Sequence, residues 1–117
     1  MKVDVDGDGQ ADAPIFSAKL SSSGSYTVSG DVLVFETENG RILRFENFKS
    51  SNGPDVRIYL AEGAQAQGFV DLGLIKSTQG NFSYDIPASV DLTLKPYVLV
   101  WCEDFSVLFG SGKLMMP

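Results

Sequence analysis

Two groups of residues in this chain could do chemistry, and they lie at opposite ends. The first is Asp4-Val5-Asp6-Gly7-Asp8-Gly9-Gln10-Ala11-Asp12. Alternate carboxylates can converge on a hard cation, Gly9 at the sixth position permits a sharp turn, and Gln10 at the seventh offers its carbonyl. The cation expected is Ca2+, held by Asp4, Asp6, Asp8, Gln10 and Asp12. The bland alternative is a solvated acidic linker, since close carboxylates repel one another without a cation. The second group is Trp101-Cys102, the only Trp and the only Cys, followed directly by Glu103 and Asp104. Neighbours on a regular strand point to opposite faces, so one of the pair is core and the other faces a second layer or the surface. If Cys102 is a redox residue, its sulfur must be reachable, and Trp101 is then the packed side chain that fixes the strand. Otherwise Cys102 is a small buried hydrophobe. A lone thiol cannot cycle to a disulfide by itself. It needs a partner thiol from outside the chain, another cofactor, or oxidation to sulfenic acid.

Composition narrows the remaining chemistry. The 117 residues include no His, which disfavours Ser-His-Asp hydrolysis, zinc catalysis and His-ligated haem within this chain. Asp and Glu are plentiful, but no paired acid/base motif stands out, so a hydrolase is the third expectation, behind a binding or redox module. A net charge of −6 and the lack of any basic cluster argue against nucleic acid or anionic lipid as partner. The longest apolar run, Val98 to Cys102, is too short to cross a bilayer, so no direct membrane insertion is expected. Gly68, Gly73 and Gly80 form no phosphate-binding fingerprint, and read as strand ends and bulges.

The elements that must position these residues are strands. Val32 to Glu46 reads as a hairpin around Asn39-Gly40. Val56, Ile58 and Leu60 alternate with Arg57 and Tyr59, giving a half-buried strand. Phe69 to Leu72 is a short strand. Phe82, Tyr84 and Ile86 form another, stopped by Pro87. Asp91 to Lys95 is a turn. Val98 to Cys102 is apolar on both faces and belongs in the centre of a sheet. Phe105, Val107 and Phe109 share one face of a last strand. Residues 15–24 read as a transition, with a loop at Ser21-Ser22-Ser23-Gly24. Strand signals every 8–12 residues, with turn residues between them and no helical period, predict an all-β fold, an antiparallel β-sandwich or barrel of roughly 8 strands. The expected core is Leu43, Phe45, Ile58, Leu60, Tyr84, Ile86, Val98, Val100 and Val107. An Asp-rich segment, 1–14, precedes one β domain, 15–117.

Two resemblances add to this reading. The N-terminal nonapeptide resembles calcium loops of the thrombospondin type-three and dockerin kind; Ile15 stands where an EF-hand has its bidentate Glu. Across roughly 24–112, an ordered set of motifs resembles the DM-thirteen domain: Gly53-Pro54-Asp55-Val56-Arg57-Ile58-Tyr59-Leu60, Gly68-Phe69-Val70-Asp71-Leu72-Gly73, Gln79-Gly80-Asn81, Tyr84-x-Ile86-Pro87 and Val98 to Gly110. This module accompanies DOMON domains and b-type cytochromes in Skeletor-like proteins. The chain departs from the family pattern at Leu108, where Pro is usual, and at Gly112, where Ala is usual. The resemblance implies an extracellular or periplasmic electron-transfer module with Cys102 as the proposed redox residue. Its partner would be an extracytoplasmic protein or redox domain, and a signal sequence or flanking domain would lie outside these residues. The rival expectation is a non-catalytic adhesion or ligand-binding β-domain with a structural Cys102.

Overall fold

The structure is a computed structural model that describes residues 13–116. It contains eight strands: β1 (Phe16–Ser22), β2 (Val28–Thr37), β3 (Gly40–Ser50), β4 (Val56–Ala61), β5 (Val70–Leu74), β6 (Gln79–Ile86), β7 (Tyr97–Cys102) and β8 (Val107–Lys113). All pairings are antiparallel, in the order β5-β4-β7-β8-β1-β2-β3-β6. The sheet curls into a nearly closed barrel. The seam lies between β5 and β6. Tyr84 stitches it: its hydroxyl donates to the Leu74 carbonyl at 2.8 Å and accepts the Lys76 N–H at 3.1 Å. A buried phenol thus satisfies backbone groups that a missing ladder leaves open.

Period-2 alternation explains the interior. Val32, Val34, Leu43, Phe45, Val56, Ile58, Leu60, Tyr84, Ile86, Val98 and Val100 all point inward and are buried. Val107, expected in the core, is half-buried and packs against it. Phe45, Phe48, Phe82 and Tyr84 form one aromatic block, with ring centroids 5.1–5.9 Å apart.

Several sequence expectations need correction. Residues 16–22 are a strand, because Phe16, Ala18 and Leu20 face the core while Ser17, Lys19 and Ser21 alternate outward. The serines masked that alternation. The hairpin turn is Glu38-Asn39, with Thr37 paired to Gly40, so Gly40 opens β3 rather than sitting in the turn. Its φ of 122° is the conformation glycine tolerates. Phe105 lies in the β7–β8 turn and is exposed, not on an inner strand face. The proposed Ca2+ ligands Asp4, Asp6, Asp8, Gln10 and Asp12 lie outside the described residues. Among the described residues, no group of three or more His, Cys, Asp or Glu side chains is placed to hold a metal ion.

Candidate functional site

The β7 strand carries the Trp101-Cys102 pair, and its two faces look into different surroundings. Val98, Val100 and Cys102 share the inner face, and Leu99 and Trp101 the outer one. Opposite β7, the β8 strand carries a bulge: Val100 pairs with Gly110 and Trp101 with Leu108, leaving Phe109 as the extra residue. The bulge falls on β8, so the alternation of β7 runs unbroken through Cys102. A side chain at Gly110 would collide with the Val28 side chain, so β2 packs directly against this bulge.

Cys102 is fully buried, with 0% exposure. Its S–H donates to the Pro54 carbonyl at 3.1 Å, which ties the end of β7 to the loop before β4. The sulfur therefore sits in the barrel interior against the Pro54 carbonyl. This inverts the arrangement that a directly reachable redox thiol required. Trp101 is the partly exposed member of the pair, and Cys102 is the packed one.

Outside the barrel, β4 and β7 carry a second, smaller apolar layer. Tyr59, Ala61 and Leu99 are buried there, covered by Ala66, Tyr97, Trp101 and Leu108. Tyr59 is the centre of this layer. Phe69 stacks on it at 4.2 Å between centroids and 19° between planes, and the Trp101 ring lies 6.0 Å away at 23°. Phe69 is 48% exposed and acts as a lid, leaving Tyr59 only 1% exposed. The Tyr59 hydroxyl donates to Glu103 Oε2. Burial first, and then that hydrogen bond and the nearby negative charge of Glu103 and Asp71, push the phenol well above its ordinary range. Glu103 itself faces solvent.

Charged groups edge this layer. Arg57, cross-strand from Trp101, binds Asp55 at 2.7 Å and Asp71 at 3.0 Å. The Asp55 hydrogen bond leads in holding the guanidinium in its charged form. Lys113 lies over the Tyr97 ring at 5.8 Å. Sequence reading placed Tyr59 on the outer face of a half-buried strand and missed its burial. The signal was present in Phe69 and Trp101, but their convergence on Tyr59 depends on the β5-β4-β7 strand order.

A second feature is a cleft of about 380 Å³ at the other end of the sheet, of mixed polar and apolar lining, formed by Asn47, Phe48, Lys49, Gln79 and Asn81 among others. Register shifts in the β2–β3 and β3–β6 ladders meet there. Asn47, at a φ of 52°, donates its N–H to Asn81 Oδ1 at 2.8 Å. The groups lining it fit a structural bulge, with no titratable pair set for catalysis.

With this geometry, the comparison with known families is decisive. The family described as Electron transfer DM13 matches residues 19–114. The chain belongs to the DM13 family. The match spans all but the first three residues of β1 and every other strand, so the barrel as a whole is the DM13 domain. No curated protein and no solved structure matches this chain. Gly112 has a local reason to carry no side chain. A Cβ there would stand 2.7 Å from the Lys19 carbonyl oxygen where β8 meets β1.

Proposed function

We propose that this DM13 domain is an accessory electron-transfer module of an extracytoplasmic assembly, passing electrons to or from a partner protein rather than turning over a substrate. The family match across the whole barrel carries this reading. The finer assignment of Cys102 as the redox residue comes from the family resemblance, and its burial constrains the chemistry open to it. Thiol–disulfide exchange requires an attacking sulfur in line with the disulfide, so it requires the thiol to leave the Pro54 carbonyl and come out of the core. Transfer of an electron without bond exchange does not.

Residues 4–12 complete the proposal as a Ca2+ loop built from Asp4, Asp6, Asp8, Gln10 and Asp12. An extracytoplasmic setting, with its higher free calcium, suits a low-affinity site of this kind. Calorimetric titration with millimolar Ca2+ tests it, and an absence of heat removes the loop from the account.

A second reading, a non-catalytic adhesion or ligand-binding domain, is favoured by one observation: Cys102 packs as a core hydrophobe. Coulometric titration of the folded chain with one-electron mediators separates the two. A reversible couple that survives repeated cycling supports electron transfer, and its loss in Cys102→Ser places it on the thiol. A chain that accepts and returns no electrons is a binding module.

A further inference from the structure

We infer that the one-electron site of this domain is the Tyr59 phenol, with Glu103 as its proton acceptor. The inference rests on the electron-transfer reading above and names the group that carries it. Tyr, Trp and Cys are the side chains that lose a single electron most readily. Cys102 and Tyr59 are equally buried, but the Cys102 S–H donates to the Pro54 carbonyl, a poor base, whereas Tyr59 lies beside Trp101 on the outer wall with its hydroxyl on a carboxylate.

Tyrosine oxidation has a requirement that decides between sites. The phenol must shed its proton as the electron leaves, because the protonated radical is a very strong acid. Among the four tyrosines, Tyr59 has a carboxylate as its hydroxyl partner. Tyr84 donates to a backbone carbonyl, which is a poor base. The acceptor at Tyr59 is also well placed. The phenol is 1% exposed, while Glu103 faces water, so the proton moves outward along an existing hydrogen bond. The raised pKa of the phenol agrees with this: Tyr59 does not ionise first and lose its electron afterwards, and proton and electron leave together.

The step balances as follows. A high-potential one-electron oxidant, such as a high-valent metal-oxo centre of a partner, takes one electron from the ring and falls by one oxidation state. The phenolic O–H bond breaks, its proton passes to Glu103 Oε2, and a neutral tyrosyl radical and a carboxylic acid remain. A one-electron donor returns the electron, and Glu103 returns the proton. Phe69 and the half-exposed indole of Trp101 set the approach distance, since both rings lie within 6.0 Å of the Tyr59 ring. They also shield the radical from solvent.

Flash-quench oxidation of the whole chain with tris(bipyridine)ruthenium(III), read by transient absorption and electron paramagnetic resonance, tests the assignment. The expected result is a tyrosyl signal that is lost in Tyr59→Phe. That variant keeps the stacked ring and lacks only the hydroxyl. Glu103→Gln keeps a hydrogen-bond acceptor but no base, and should slow radical formation by about a hundredfold. A tyrosyl signal unchanged in Tyr59→Phe, or a rate unchanged in Glu103→Gln, overturns the inference. A thiyl signal lost in Cys102→Ser overturns it too, while leaving the electron-transfer reading in place. Irreversible bleaching with no recoverable radical on any side chain overturns both.

Discussion

The inner and outer faces of β7 differ in what they ask of a side chain. Inside, Val98, Val100 and Cys102 are sealed against the opposite wall of the barrel, where only volume and shape count. Outside, Leu99 and Trp101 join Tyr59 in a thin layer whose rim holds Glu103, Asp71 and Arg57. There, apolar contact and charge meet within one hydrogen bond. The interior face stabilises, and the outer face is where the proposed electron and proton transfer would take place. The lesson is that the most reactive residue type in the chain is not its most available one.

Variants that probe this contrast should fall in a clear order. Leu60→Ala, on the inner face of β4 with 0% exposure, should cost about 2–5 kcal/mol in urea unfolding, by lost transfer energy plus an unfilled cavity. Gly110→Ala should cost about 1–3 kcal/mol, because the added methyl meets Val28 and the Ser21 carbonyl at the bulge. Trp101→Ala should cost about 1–2 kcal/mol, well below a fully buried aromatic truncation, since part of the ring is already in water. If Trp101→Ala proves more damaging than Leu60→Ala, the outer layer is the true core and the contrast collapses.

The smallest effect is one of pH. The folded-state pKa of Tyr59 is raised, so the folded chain keeps a proton that the unfolded chain releases near the usual phenol value of about 10. Stability from this group is complete below that pH and is lost as pH rises towards the folded value. Burial raises Tyr84 in the same direction. Urea midpoints should therefore fall from about pH 10 upward, and less so in Tyr59→Phe. A flat profile in the parent chain would show that neither phenol is protected.

Much of the barrel was legible because alternation is a local signal. The β2–β3 hairpin and the inward residues of β4 and β6 follow from it, and the place of β7 inside the sheet follows from its being apolar on both faces. Phase also held the answer for the cysteine. Val98 and Val100 were expected inside, and Cys102 shares their parity, so an unbroken β7 had to bury the thiol. The polar Glu103-Asp104 pair that follows Cys102 already belongs to the turn and does not expose the end of β7. The outer layer was not legible. Tyr59 and Trp101 are 42 positions apart and meet only because β7 pairs with β4, a long-range ladder that local alternation does not reveal. β1 was hidden by its serines, which carry no strand signal until β2 and β8 pair on either side.

The account stands most directly on the accessibility of one sulfur. Alkylation of Cys102 by iodoacetamide, followed by mass spectrometry in the native state and in urea, measures it. A thiol held inside the barrel reacts only through opening, so the native rate should lie at least about a thousandfold below that of the unfolded chain. A native thiol that reacts nearly as fast as the unfolded one would contradict the account. It would return the redox role to Cys102 and leave Tyr59 and Trp101 as packing.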